Sequence, residues 1–331
     1  MHTTLRYRVT RRLLIFWTLF IGIGAVAGAT GMLVDPTGKA MGMDAMLPYF
    51  AVLPFADVLF RDLLFSGIAL LIVNGLTNLT AAVLLLMKKR AGIILGGIFG
   101  VTLMLWICIQ FYMFPLNFMS TIYFFFGLAQ AITGYIAYVS ARQGDFTFDP
   151  ADYPHIGTHP ERLVVYFSRM GYVRKLAYEE ANRTGAVLWE VKATERTAGT
   201  AGFWWCGRYG MHRWGMPIEP VTPDLSAFRH VTICSPIWVF SLSAPIRRFC
   251  QEAAGKIVEA DYLLIHHTNG VYENAAREMD SLLGLKHTAL RSVRCRLGTY
   301  REIALLGTPE AAQSTPDDAP VTTNENARKQ P

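Results

Sequence analysis

Four runs without a single charged side chain, Leu13 to Val34, Leu63 to Met87, Ala91 to Met113 and Phe118 to Val139, occupy most of the first 140 residues. Each exceeds the roughly 20 residues that a helix rising about 1.5 Å per residue needs to cross a hydrocarbon core about 30 Å thick. Four buried helices of a water-soluble protein would not need that length. The first run also invites a secretory-signal reading, because basic residues precede it and Ala25, Ala27, Gly28 and Ala29 lie near its end. Its length and the three later runs favour an uncleaved anchor. The N-terminal part, residues 1–141, is therefore expected to be a four-helix membrane domain in contact with the lipid bilayer.

The basic residues between the runs set an orientation. Arg6, Arg8, Arg11 and Arg12 precede the first run, Lys88, Lys89 and Arg90 separate the second and third, and Arg142 follows the fourth. The loop between the first two runs carries Lys39 and Arg61 among Asp35, Asp44, Asp57 and Asp62. By the positive-inside rule both termini, and the domain that follows, face the cytoplasm of a cell inner (plasma) membrane. Met46 to Phe60 is also apolar, but it is short and interrupted by Pro48, Pro54 and Asp57, so it reads as an interfacial or re-entrant piece on the outer side. As a fifth span it would move the second domain outside.

The juxtamembrane Arg and Lys account for part of the net charge of +6. They favour anionic headgroups, and no basic stripe with nucleic-acid spacing accompanies them, so no nucleic-acid partner is expected. The five cysteines form no C-x-x-C pair, which fits reduced thiols rather than disulfides or zinc. Residues 142–161, with their Asp, Pro, His and Gly, read as a linker. Residues 308–331 lack aromatic and large aliphatic side chains and read as a disordered tail.

Between linker and tail, residues 162–307 alternate strand-type and helix-type runs. Strands are expected at 163–167, 186–191, 230–234, 262–266 and 288–293, and helices at 171–183, 244–254 and 272–283. Such alternation implies right-handed crossovers and a five-stranded parallel sheet covered on both faces, with only an abbreviated closing helix over Leu297 to Leu306. Ligands of an open parallel sheet bind beyond the carboxyl ends of its strands. The loops to inspect are therefore Ser168-Arg169-Met170-Gly171-Tyr172-Val173, the run Ser235-Pro236-Ile237-Trp238-Val239-Phe240, and His267-Thr268-Asn269-Gly270.

These residues carry a resemblance. The strand followed by Ser168-x-x-Gly171, the run Pro220-x-x-x-Asp224-Leu225-Ser226-x-Phe228 leading to Ser235-Pro236-Ile237-Trp238, then Pro245, Phe249 and Asn269-Gly270 resemble the flavodoxin-like, FMN-binding fold. The resemblance implies that Ser168, Arg169, Gly171 and Tyr172 hold the FMN phosphate. It implies that Ser235, Pro236, Ile237, Trp238, Val239 and Phe240 line the isoalloxazine ring, and that Asn269 and Gly270 cover its far edge. Met170 and Val173 stand where the resembled loops usually carry hydroxyls, which leaves Ser168 as the main side-chain donor with Arg169 and backbone N–H groups beside it. On this reading the chain is a membrane-anchored, FMN-dependent redox protein passing electrons between a cytosolic donor and a membrane or protein acceptor such as a quinone. The alternative is a flavodoxin-like module that has lost flavin and serves as a cytosolic sensing or docking domain.

Other conspicuous residues have plainer readings. His266 and His267 are strand neighbours pointing to opposite faces, which does not suit one metal, and no metal site is expected. His155 and His159 lie beside Pro154 and Pro160, where no helix is expected. Phe203, Trp204, Trp205, Arg208, Tyr209 and Trp214 form an aromatic and basic cluster that rests on a membrane interface, shields a flavin or packs the crossover. Asn74, Asn78, Gln110 and Gln130 inside the spans most often make interhelical hydrogen bonds, with a quinone pocket as the rarer use. No Walker loop, Ser-His-Asp order or G-x-G-x-x-G after the first strand is present.

Overall fold

The computed structural model describes residues 5–307, and the expected tail lies outside them. The chain divides into two compact units, Met1–Phe146 and Thr147–Pro331.

The first unit is helical: α1 Leu5–Val34, the short α2 Ala56–Leu59, α3 Leu64–Leu70, α4 Thr77–Leu86, α5 Arg90–Met113 and α6 Phe118–Asp145. A six-residue π-helix, Leu71–Leu76, joins α3 to α4, so this pair reads as one 23-residue helix. Among the described residues four helices are thus long and apolar enough to cross a membrane. Met46 to Phe60 is not one of them, lying in a 3-10 helix Asp44–Val52 that contains Pro48, followed by α2.

Small residues set how closely these helices pack. A Cβ on Gly134 would lie 2.4 Å from Gly97 Cα, and one on Gly100 would lie 2.6 Å from the Ala131 nitrogen, so α5 and α6 meet backbone to backbone. Such contact gains dispersion energy where apolar neighbours offer no hydrophobic driving force. Gln130 of α6 donates from Nε2 to Asn78 Oδ1 (2.8 Å) and to the Gly96 carbonyl (2.7 Å), tying α4, α5 and α6 together. The Ser120 hydroxyl donates to Gln110 Oε1 at 3.1 Å. Three of the four amide side chains marked in the sequence therefore bridge helices.

The second unit is α/β. Its strands are β1 His159–Tyr166, β2 Ala186–Glu190, β3 His230–Trp238, β4 Ser241–Leu242, β5 Ala260–His266, β6 Ala289–Arg296 and β7 Thr299–Gly307. Helix α7 Tyr172–Thr184 follows β1, α8 Gly199–His212 follows β2, α9 Ala244–Glu252 follows β4 and α10 Glu273–Leu283 follows β5. The sheet runs β2-β1-β3-β5-β6-β7, with β4 paired to β3 off the main path. Its five central strands pair in parallel; β7 is antiparallel to β6.

Strand alternation builds two cores. Leu163, Val165, Ile233 and Leu264 point to the face covered by Ile246 and Phe249 of α9 and Ala276 and Met279 of α10. Val164, Tyr166 and Ile265 point to the face covered by Val173, Leu176 and Ala177 of α7.

Two expectations are corrected and one element is added. The sheet has seven strands, not five, because Thr299–Gly307 turns back as an antiparallel edge strand where an abbreviated helix was expected. Its sequence has no clean period-2 alternation, and its pairing with β6 is broken by a register shift between Ser292 and Val293, so the strand is set by the sheet edge rather than by local pattern. The expected linker over 142–161 loses both ends, Arg142 to Asp145 continuing α6 and His159 to Glu161 opening β1. The aromatic crossover after β2 is a helix, although four glycines weaken its helical propensity.

Candidate functional site at the carboxyl edge of the sheet

The parallel strands follow the order β2-β1-β3-β5-β6, so the direction of winding reverses between β1 and β3. Chain segments leaving those two strands move to opposite sides and open a crevice, where open α/β sheets bind ligands. The loops after β1, β3 and β5 flank it.

The β1 loop makes a tight turn into α7. Gly171 is the N-cap with φ 87°, a conformation in which a Cβ is strained, and its N–H donates to Ser168 Oγ at 3.1 Å. The turn directs the first N–H groups of α7, from Tyr172 onward, toward the crevice edge, where the helix dipole favours an anion. Ser168 retains its hydroxyl proton for donation. Arg169 donates from Nε to the Thr197 carbonyl (2.8 Å) and from Nη2 to the Gly199 carbonyl (2.8 Å), with its guanidinium 5.5 Å from the Phe203 ring. It braces the β1 loop against the start of α8, a task that the sequence did not reveal. Val173 is buried in the apolar cluster beneath α7, so a hydroxyl at that position would face the core and not a phosphate. Met170 is partly exposed on the turn.

Past Ser235 and Pro236, β3 continues through Ile237 and Trp238, then folds over Val239 and Phe240 into β4, pairing Trp238 with Ser241. Val239 (φ 47°) and Phe240 (φ 59°) are both left-handed, as a two-residue type I′ hairpin demands. Neither is the Asn or Gly that adopts this conformation cheaply, and a bulky residue pays about 1–2 kcal/mol there. Tyr272, the N-cap of α10, is also left-handed at φ 65°. Strain of this kind concentrates at ligand sites when the surrounding structure holds it in place. Here Asn274 Nδ2 donates to the Phe240 carbonyl at 3.3 Å, tying the hairpin tip to α10.

The indole of Trp238 meets Phe167 edge-on, ring centroids 5.5 Å apart, and packs beside Met216, Cys206 and Ala244. Pro236, Ile237 and Trp238 are half-buried, whereas the tips of Val239 and Phe240 are exposed. Ser235 is fully buried, its hydroxyl shared with Ser243 Oγ at 2.9 Å and the Pro236 carbonyl at 2.9 Å. That network fixes where β3 leaves the sheet.

The β5 loop is clamped by His266. Nδ1 lies 3.1 Å from the Thr268 carbonyl and Nε2 2.7 Å from Ser292 Oγ, so a neutral ring with its proton on Nδ1 satisfies both. Burial, the largest influence, lowers the His266 pKa below the ordinary 6.5. Arg294 Nη1 donates to Asn269 Oδ1 at 2.6 Å, and the Ser292 hydroxyl also approaches the Gly270 carbonyl at 3.4 Å. Asn269 and Gly270 are exposed at the rim.

The structure thus gathers Ser168, Gly171 and Tyr172, the segment 236–240, and Asn269 with Gly270 at one edge. It gives Arg169 and Ser235 internal work. Phe167, Thr268, Tyr272, Asn274 and Arg294 have no assigned role in the sequence reading, although Thr268 and Tyr272 stand in the loop marked after the fourth expected strand; their hydrogen bonds and ring contacts emerge only in the fold. Among the described residues no His, Cys, Asp and Glu side chains cluster as a metal site.

No protein family and no curated protein matches the chain. Among solved structures it is similar to a flavoprotein in complex with FMN from Lactobacillus acidophilus NCFM, at 20% identity and TM-score 0.34, covering 40% of this chain and 91% of that one. It is also similar to a candidate flavoprotein from Bacteroides uniformis ATCC 8492, at 18% identity and TM-score 0.35, covering 41% and 88%. A candidate flavoprotein from Bacteroides eggerthii DSM 20697 gives 18% identity and TM-score 0.34, covering 38% and 83%.

Proposed function

We propose that the second unit binds FMN at its carboxyl edge and that the chain is a membrane-anchored flavin redox protein. The observation carrying this reading is the β1/β3 reversal flanked by a phosphate-type turn on one side and an apolar, strained hairpin on the other. The residues fit the group. Ser168 and the first N–H groups of α7 offer donors to a phosphate, Pro236 to Phe240 offer an apolar wall to a flat ring, and Asn269 and Gly270 form the rim beyond it. Bound flavin would supply the hydride and one-electron chemistry, while the protein positions the ring and sets its electrostatics.

The four apolar helices serve as the anchor, with both termini and the α/β unit on the cytoplasmic side. Electrons pass from a cytosolic donor to a membrane or protein acceptor, for which a quinone is the chemical class. A second reading, a flavin-free docking module, is favoured by one observation: Arg169, the sole cation of the phosphate-type turn, is spent on Thr197 and Gly199. The visible spectrum of the purified full-length protein separates the two. Flavin absorbance that co-purifies, or that appears on saturable titration with FMN, supports the redox protein; a colourless protein that no FMN concentration saturates supports the docking module.

A further inference from the structure

The helical unit carries a half-open cavity of about 370 Å³, within the size range of small-molecule sites. It lies where the end of α1, the 3-10 segment, the start of α3 and the end of α5 converge. That end of the unit is opposite the one where Arg90 and Asp145 pair at 2.7 Å. The wall is made mainly of thioethers and rings: Met32, Met46, Met113, Phe50, Phe60 and Trp106. The rings are already arranged, Phe50 stacking on Phe60 with centroids 5.4 Å apart and meeting Phe114 edge-on at 5.7 Å. Aromatic faces and polarizable sulfur favour a flat ring over a saturated chain.

Two polar side chains interrupt this wall. Gln110 has its Oε1 taken by Ser120. Ser66 is 7% exposed, and its hydroxyl finds no partner. A helical serine ordinarily bonds the carbonyl four residues back, but Ser66 stands in the first turn of α3, so that carbonyl belongs to Asp62, before the helix. A buried hydroxyl left unbonded is costly; the Ser66 oxygen is closed off in this rotamer, and rotation about its one side-chain torsion would turn it toward the cavity that the residue lines, where an acceptor supplied by a ligand would remove the penalty.

We propose that this cavity binds a quinone-type molecule, a planar apolar ring whose carbonyl oxygen accepts a hydrogen bond from Ser66. The cavity lies at the end of the helical unit that the proposed topology turns away from the cytoplasm, so it is a binding site separate from the flavin's electron path; the assignment needs no flavin, and either reading can fail without the other.

The test uses the full-length protein in nanodiscs titrated with decylubiquinone. The signal is the share of tryptophan emission that Trp106→Phe abolishes. Saturable quenching of that share is expected, with affinity about three- to tenfold lower in Ser66→Ala and at least tenfold lower in Ala69→Trp, which fills the cavity. Ser66→Ala removes one oxygen and keeps the fold, so its result stands even where the larger variant assembles poorly. Dodecylbenzene, a ring without carbonyls, should bind parent and Ser66→Ala equally and more weakly than the quinone binds the parent. Unsaturable quenching, an unchanged quinone affinity in Ser66→Ala, or dodecylbenzene binding as tightly as the quinone would each overturn the assignment.

Discussion

Both units bury large apolar side chains, Leu14, Ile21 and Leu85 among them in the helical one, but they differ in what they leave exposed. In the helical unit glycines sit at the contacts while Leu105 (61% exposed), Phe125 (58%) and Ile109 (52%) face outward; in the α/β unit Val164, Val165, Ile233 and Leu264 are fully enclosed. A water-soluble domain hides large apolar side chains because their transfer from water is worth about 1.5–3 kcal/mol each. A helix surrounded by hydrocarbon gains nothing by hiding them, so close backbone approach and interhelical hydrogen bonds decide its packing. Outward apolar residues over one whole unit are what the proposed membrane setting calls for. Helix α8 of the other unit also exposes apolar side chains, Trp204 and Met211 each 71% exposed, with Arg208 lying over Trp205 and Trp214.

The largest break in this comparison comes from enlarging a small residue. Gly134→Leu places a side chain into the Gly97 backbone, where even a Cβ is too close. It should cost several kcal/mol, in line with severe overpacking, and remove the monodisperse peak of the detergent-purified protein. Leu105→Gly, at an exposed site of similar helical context, should leave that peak in place. Equal behaviour of the two variants would mean that α5 and α6 do not pack through glycine.

Next in size is the strained hairpin. Replacing Val239-Phe240 by Asn-Gly supplies residues suited to positive φ and should stabilise the α/β unit by about 1–3 kcal/mol, read as a higher urea midpoint of the intact protein. The same change strips the apolar tip from the proposed ring wall and should weaken FMN. A variant no more stable than the parent would show that the tip relaxes in solution.

Trp238→Ala tests the ring wall itself. Loss of a stacked indole should weaken FMN by up to about tenfold and brighten bound flavin, since aromatic pairs contribute roughly 0.5–1.5 kcal/mol beyond area burial. Because Trp238 also packs on Phe167, the fold must be checked by circular dichroism. A folded variant with unchanged affinity and unchanged flavin emission would remove Trp238 from the site.

What the sequence disclosed, and what it hid, follows the same physics. Periodicity and length made the apolar helices and the parallel strands readable, since both are set by runs of neighbouring residues. The Val239-Phe240 turn carried no Asn or Gly to announce it, so β4 was invisible. Val173 stands in the sequence as a phosphate neighbour, yet its burial under α7 depends on where the turn places the helix axis. Arg169 illustrates the limit most clearly: its partners, Thr197 and Gly199, are about thirty residues away in sequence. Its composition reads as an anion site, and only the fold shows it bound to carbonyls.

A smaller effect concerns pH. The folded pKa of His266 lies below its ordinary value, so the unfolded chain binds more protons in the window between the two. Stability then rises with pH through that window, is fully present above about 6.5, and is lost as pH falls toward the folded value. Protonation also puts a hydrogen on Nε2, where Ser292 now donates. Amide exchange at Thr268 to Gly270 should accelerate as pH drops from about 7 to 5, after correction for intrinsic rates, and His266→Gln should flatten that dependence. The same slope in both proteins would show that His266 is not the clamp.

The smallest predicted effect isolates the role of amides inside the helical unit. Asn78 and Gln130 bond across helices, but Asn74, 1% exposed within the π-helix, has no partner for either amide atom among the described residues. Removing one member of a bonded pair leaves the other unsatisfied, whereas removing an unbonded amide takes away only a desolvation cost. Asn78→Leu should therefore lower thermal stability in detergent by an amount near the roughly 0.6 kcal/mol average for interhelical hydrogen bonds, while Asn74→Leu should be neutral or stabilising. A loss at Asn74 as large as that at Asn78 would mean that the π-helix is held by a bond to that amide, made through an ordered water or a ligand, and would turn Asn74 from a passive residue into a second polar contact of the helical unit.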